Sequence, residues 1–115
     1  MMAKECSVPE NPLNFIQQCV HLKKIHWTYH VNMRMRGRFI SREAIINSFK
    51  NFEIIEEYPD DKYLPSYLVC SHFQGKTFHV LFAVDVENKN VRVVTAYYPS
   101  VEGWDDSFKK RRSRL

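Results

Sequence analysis

Apolar positions along the chain recur first at helical spacing and later at strand spacing. Asn11 followed by Pro12 is typical of a helix N-cap and first helical residue, and the apolar stripe that follows predicts a helix to about Lys23. The segment at residues 25–28 is short and could form an edge strand. Residues 29–36 are predicted to be helical, with Gly37 as the stop.

A further helix is predicted to begin at Ser41, a good N-cap residue, with Glu43 in its first turn. Ile45, Ile46 and Phe49 would form its buried stripe.

From about residue 52 the apolar positions recur every second residue, which is the period of a β-strand. Gln74-Gly75-Lys76 and residues 87–90 are typical of hairpin turns, so the strands around them should pair as an antiparallel meander. Residues 77–86 are apolar on both alternation sets, which favours a central strand covered on both faces. The four predicted strands are residues 52–58, 67–73, 77–86 and 91–98.

Pro99 ends the strand pattern, and the spacing of Val101, Trp104 and Phe108 predicts a short closing helix that docks its aromatic side chains on the domain. The predicted fold class is α+β: N-terminal helices packed on a four-stranded, mainly antiparallel sheet, with a short C-terminal helix. We expect a flexible N-terminus over residues 1–10, a single domain over residues 11–108 and a basic tail over residues 109–115.

Charge is distributed unevenly. Residues 11–42 contain no acid but include six lysines and arginines, and the C-terminus is basic again. Acids gather at residues 53–61. This polarity predicts a positive face able to attract an anionic polymer, although charged runs also serve solubility alone.

The cysteine and glycine contents and the lengths of the apolar runs limit the classes of protein to which the chain could belong. Three widely spaced cysteines fit a reducing compartment, and no apolar run is long enough for a membrane helix, so we expect a cytoplasmic protein without a membrane partner. Three glycines in the whole chain exclude glycine-rich phosphate loops, and no cofactor is expected.

The most informative motif places His30, Arg34 and Arg38 four residues apart. On a helix these side chains share one face, where two guanidinium groups could hold an anion beside a titratable imidazole. The alternative is structural: His30 anchors a helix end and the arginines pair with the acids at residues 53–61.

His79 lies on the predicted central strand, where a histidine is most often a hydrogen-bonded core residue. If the helix bearing His30 packs on the same sheet face, the two histidines and the arginines would supply the minimum set of catalytic groups for metal-independent RNA cleavage. The candidate catalytic set is therefore His30, Arg34, Arg38 and His79.

Further cationic and aromatic side chains could contact a bound polyanion; Tyr97 lies at the end of the last strand, where tyrosine more often covers core. The candidate substrate-binding residues are Arg36, Arg42, Tyr97, Lys109 and Arg111. A zinc site is the weaker alternative, since the spacings match no standard ligand pattern; its ligands would be Cys19, His21, His26 and His30.

Several motifs in order carry a resemblance. They are His30-x3-Arg34-Met35-x2-Arg38-x-Ile40-Ser41, Ile54-Ile55-Glu56-x-Tyr58, Phe78-His79-Val80, and Val94 to Pro99 with Trp104 and the basic run after it. Together they resemble a widespread, mostly bacterial family of small domains of unknown function, over about residues 25–112. The helix at residues 11–23 lies outside the common pattern.

That family is in turn similar to the BrnT and RelE-like toxins, which cleave messenger RNA and are neutralised by an antitoxin. The resemblance implies a metal-independent endoribonuclease with an antitoxin-like protein partner. The alternative is a non-catalytic module that binds nucleic acid or protein with the same basic face, and the oligomeric state stays open.

Overall fold

A computed structural model describes residues 8–112, and the first seven and last three residues of the predicted terminal segments lie outside that range. Helices lie on one face of a five-stranded sheet with the order β1-β5-β4-β3-β2. The helices are α1 (Pro12–His21), α2 (Tyr29–Gly37) and α3 (Arg42–Asn47), followed by a short 3-10 turn (Phe49–Asn51). The strands are β1 (Ile25–Trp27), β2 (Glu53–Tyr58), β3 (Ser66–Phe73), β4 (Lys76–Asp85) and β5 (Asn90–Tyr97).

The helix starts follow from side-chain capping. The side chains of Asn11, Thr28 and Ser41 each accept a hydrogen bond from the backbone N–H three residues later, at 3.0–3.1 Å. Each bond satisfies a donor that the first helical turn leaves without an intrahelical partner. The N-caps predicted at Asn11 and Ser41 are confirmed.

Helix α2 ends in a Schellman motif. The N–H of Ile40 donates to the carbonyl of Met35 at 2.9 Å, and the N–H of Phe39 donates to that of Arg36 at 3.2 Å. The helix extends one residue beyond the predicted end at residue 36, because Gly37 is itself helical, and the left-handed residue of the motif is Phe39, with φ of 58°.

The sheet is mixed and has one strand more than the four predicted. β1 pairs in parallel with β5, whereas the pairs β2–β3, β3–β4 and β4–β5 are antiparallel. The short edge strand expected at residues 25–28 is therefore real, and it closes the sheet beside the last strand. The α+β class is confirmed, and β4 is the central strand that its double apolar pattern predicted.

The core lies between the helices and one sheet face, which we call the inner face. Val31 and Met35 of α2 pack there with Phe78 and Val80 of β4. Because strand side chains alternate, His79 points to the opposite face, which we call the outer face. No helix of the described residues is long and apolar enough to span a membrane.

The predicted closing helix is wrong. Residues 99–112, which we call the C-terminal segment, form turns, with an isolated antiparallel bridge between Trp104 and Arg111. The Asp105 carboxylate accepts from the backbone N–H of Lys109 at 3.0 Å and of Lys110 at 3.4 Å. A side chain that binds nearby backbone donors competes with the helical hydrogen bonds, and here the turn results.

Candidate functional site

The predicted site residues fall into two groups on opposite faces of the sheet. One group belongs to α2 and the start of α3, on the helical side: His30, Arg34, Arg36, Arg38 and Arg42. The other gathers on the outer face beneath the C-terminal segment: His79, Tyr97, Lys109 and Arg111. His30 and His79 do not share a site, because the sheet separates the buried face of α2 from the face on which His79 lies.

His79 is fully buried, with 0% of its surface exposed, and both ring nitrogens are hydrogen-bonded. Nε2 lies 2.6 Å from the carbonyl oxygen of Phe108, which can only accept, so this nitrogen carries the proton. Nδ1 lies 3.2 Å from the Tyr97 hydroxyl and in the neutral ring accepts from it. Desolvation lowers the pKa of His79, although the bond to the Phe108 carbonyl opposes the shift. A neutral, enclosed imidazole binds the C-terminal segment to the sheet.

The Trp104 ring completes the enclosure. It meets the His79 ring edge to face, with centroids 4.4 Å apart and an interplanar angle of 82°, and it is 5% exposed. The Arg111 guanidinium lies over the Trp104 ring, 4.6 Å from the ring centroid. The prediction that Trp104 docks is therefore confirmed, though from a turn and not from a helix.

Two cations of this segment, Lys109 and Arg111, are paired with acids of β2. Arg111 makes a bidentate contact with Glu56, in which Nε donates to one carboxylate oxygen at 2.6 Å and Nη2 donates to the other at 3.1 Å. Tyr58 donates to the same carboxylate. Despite the opposing effect of partial burial, these bonds and the arginine charge hold the pKa of Glu56 below its ordinary value. Lys109 lies 3.1 Å from Glu53, so both predicted substrate-binding cations of the tail already have carboxylate partners.

We call Glu56, Tyr58, His79, Tyr97, Trp104 and Arg111 the outer-face cluster. It forms because Glu53, Cys70, His79 and Tyr97 are direct neighbours across four strands, and Glu56 lies in the next row. The sequence predicted no role for Tyr58, included Glu56 only among the acids that could pair with the arginines of α2, and predicted only docking for Trp104. The one sequence signal for Glu56 and Tyr58 is that both lie in the motif Ile54-Ile55-Glu56-x-Tyr58, which contributes to the family resemblance.

On the helical side, two of the predicted arginines make structural contacts. Arg38 donates from Nη1 to the carbonyl of Ala96 at 2.8 Å. β1 covers β5 only at Val91–Val93, so this carbonyl lies where β5 has no strand neighbour on that side within residues 8–112. Arg42 donates to the Asn32 side chain at 2.9 Å and lies 5.2 Å from the Trp27 ring centroid.

The other basic residues of α2 remain exposed. His30, Arg34 and Arg36 make no side-chain hydrogen bond or ion pair within the described part of the chain, and Val31 and Met35 take the buried positions between them. Large apolar side chains accompany them at the surface: Tyr29 is 80% exposed, Met33 46% and Phe39 86%. We call this set of six the basic α2 surface.

The structural alternative for the arginines is only partly right. Arg38 is held by a backbone carbonyl, but the acids of β2 pair with Lys109 and Arg111 and not with α2. The exposed aromatic residues Tyr29 and Phe39 are not among the site residues that the sequence predicts. Their one signal is an apolar side chain near basic residues, at the start of α2 for Tyr29 and just after the end of α2 for Phe39.

The zinc alternative finds no support in the described residues. Cys19 is buried on α1, His21 stacks on Phe49 with ring centroids 4.9 Å apart, and His26 and His30 lie on β1 and α2. Residues 8–112 contain no group of three or more histidine, cysteine or acidic side chains placed to hold a metal ion.

With this geometry in hand, the comparison with known families is direct. The family described as a domain of unknown function (DUF4258) matches residues 27–98, more than half of the chain, and the protein belongs to that family. No curated protein and no solved structure matches the chain. The match runs from the end of β1 to the end of β5, so α1 and the C-terminal segment both lie outside it.

Proposed function

We propose that the protein binds single-stranded RNA through the basic α2 surface. The observation that carries the proposal is that Arg34 and Arg36 are exposed without a partner among residues 8–112, next to the exposed rings of Tyr29 and Phe39. Guanidinium groups hold phosphates, and exposed aromatic rings stack on unpaired bases. A duplex covers the faces of its bases, so this combination favours a single strand.

The distribution of acids supports the same proposal. Glu53 and Glu56 pair with Lys109 and Arg111 on the outer face, whereas residues 11–42, which include all of α2, contain no acid. A polyanion approaching α2 therefore meets mostly positive potential, which raises its rate of association at low salt. Glu43, at the start of α3, is the nearest acid in sequence.

Binding is tested by fluorescence anisotropy with labelled single-stranded RNA of mixed sequence, for the wild type and the double variant Arg34→Gln/Arg36→Gln. The control is Lys50→Gln/Lys62→Gln, which removes the same charge from exposed positions outside α2. We expect at least tenfold weaker binding for the α2 variant and a much smaller change for the control. Equal losses in both variants would contradict the proposal, because they would indicate only an effect of net charge.

A second candidate function is metal-independent cleavage of the bound RNA, and the exposed imidazole of His30, one helical turn from Arg34, favours it. The imidazole would take the proton of a 2′-hydroxyl, and the new oxyanion would attack the adjacent phosphorus. Arg34 would stabilise the charge, and solvent would protonate the leaving 5′-oxygen. The resemblance to BrnT and RelE-like toxins supports this candidate, together with an antitoxin-like partner.

Cleavage is tested by incubating RNA with the protein in EDTA and mapping new 5′ ends. His30→Ala should abolish the cuts, whereas His72→Ala, which removes an exposed histidine from β3, should not. Binding without any cut would leave the protein a binding module. Cuts that survive in His30→Ala would exclude His30 as the base.

A further inference from the structure

A small cavity of about 160 Å³ lies at the C-terminal end of α2, between that helix end, the β3–β4 turn and the residue after β5. Its walls include the aromatic rings of Phe39, Phe73 and Tyr98 and the polar side chains of Gln74 and Lys76. The cavity is well below the roughly 300 Å³ at which pockets for drug-sized ligands begin. It suits a single planar ring system.

The backbone at the mouth of this cavity is strained. Phe39 adopts a left-handed φ of 58°, a conformation that favours glycine and disfavours bulky residues. Its ring is 86% exposed, so packing within the described chain does not compensate for the strain. Strained backbone conformations cluster at positions that contact ligands, so the strain at Phe39 favours a ligand contact at the edge of this cavity.

The polar groups of the cavity are available to a ligand. Within residues 8–112 the Gln74 amide makes no hydrogen bond, and the Lys76 ammonium has no acid partner and lies 5.8 Å from the Tyr98 ring centroid. The Tyr98 hydroxyl donates to the Phe39 carbonyl at 3.0 Å, which fixes the Tyr98 side chain against the end of α2. An amide that both donates and accepts, beside a cationic donor, is suited to the edge of a nucleobase.

We propose that this cavity is a nucleobase subsite, which receives one unpaired base of the RNA strand bound along α2. The proposal rests on the proposed RNA binding and adds its specificity. The base stacks on Phe39, Gln74 reads its polar edge, and Lys76 donates to a carbonyl oxygen. Because uracil and guanine present a carbonyl oxygen where cytosine and adenine present an amino group, the subsite prefers the first two.

The test compares three labelled 12-mers by anisotropy: oligouridine, oligoadenosine and an abasic sugar-phosphate strand of equal charge. We expect the wild type to bind oligouridine at least tenfold more tightly than the abasic strand and several-fold more tightly than oligoadenosine. Phe39→Gly, which suits the left-handed backbone and so retains the fold, should weaken oligouridine binding and remove the preference for oligouridine over oligoadenosine. Tyr63→Ala removes an exposed aromatic side chain outside the cavity and should have no such effect.

The outcomes separate the subsite from the function on which it rests. Equal binding of oligouridine and oligoadenosine, or unchanged oligouridine binding by Phe39→Gly, would overturn the subsite and leave RNA binding standing. No binding of any strand would overturn both. Circular dichroism of each variant confirms that the fold is retained.

Discussion

The Nε2–H of His79, at the centre of the sheet, donates to the backbone carbonyl of Phe108 at 2.6 Å and so ties the C-terminal segment to the outer face. The same ring accepts from Tyr97 and packs edge-on against Trp104. A buried histidine with both nitrogens bonded acts here as a structural connector between strand β4 and the segment that follows β5.

Removing this connector should be strongly destabilising. His79→Ala leaves the Tyr97 hydroxyl and the Phe108 carbonyl without their partner and opens a cavity beside Trp104, so we expect a loss of about 2–4 kcal/mol in the free energy of unfolding. Urea denaturation measures it. His72→Ala, at an exposed position of β3, should cost less than about 0.5 kcal/mol. Similar losses for both variants would contradict the structural role of His79.

Docking of the C-terminal segment should weaken in mild acid. Burial lowers the pKa of His79 below its ordinary value near 6.5, so the unfolded chain binds more protons than the folded chain below that pH. The stability contributed by the neutral ring is therefore complete above about pH 6.5 and falls as the pH decreases. The groups facing the ring, Glu56, Arg111, Tyr97 and Cys70, keep their charge states between pH 5 and pH 7.

Trp104 fluorescence in a Trp27→Phe background reports this effect. The urea midpoint should fall between pH 7 and pH 5 in that background, and the fall should disappear when His79 is also replaced by alanine. A midpoint independent of pH in the background protein would show that the pKa of His79 is the same in the folded and the unfolded chain, and it would contradict this account.

Arg38 and Arg34 lie one turn apart on α2 but should behave differently. Arg38→Gln removes the donor to the Ala96 carbonyl at the uncovered edge of β5, and we expect a loss of about 1 kcal/mol of stability. Arg34→Gln should change stability by less than about 0.5 kcal/mol because its side chain is exposed. Thermal unfolding of both variants decides the matter, and equal stabilities would contradict the assignment of Arg38 as a structural residue.

Phe39→Gly should stabilise the protein while it weakens RNA binding. The left-handed conformation costs a bulky residue about 1–2 kcal/mol, and glycine avoids most of that cost at the C′ position of a helix. Allowing for the greater freedom of glycine in the unfolded chain, we expect a gain of about 0.5–1 kcal/mol. A loss of stability in urea denaturation would mean that the ring packs favourably after all.

Local patterns in the sequence predicted most of the elements. Asn11-Pro12 and Ser41 located the helix starts, and the double apolar pattern of residues 77–86 identified the central strand. The parallel pairing of β1 with β5 was beyond reach, since three residues carry no sign of a partner more than sixty positions away. The closing helix failed because the spacing of Val101, Trp104 and Phe108 is equally compatible with a turn organised by Asp105.

The site was harder to predict than the fold. The sequence identified His30, Arg34 and Arg38 as one helical row, but which flank of α2 contacts the sheet depends on tertiary packing. Separation of His30 from His79 followed from that packing, as did the pairing of Lys109 and Arg111 with Glu53 and Glu56. Exposure of Phe39 depended on the Schellman ending of α2, which the position of Gly37 did not reveal.

The most direct test of the account is the salt dependence of RNA binding by the wild type and by Arg34→Gln/Arg36→Gln. Each phosphate contact to a single strand contributes about 0.7 to the slope of log K against log salt concentration. The double variant should therefore show a slope smaller in magnitude by about 1.4, with weaker binding at every salt concentration. An unchanged slope would place the bound phosphates elsewhere and contradict the assignment of α2 as the RNA-binding surface.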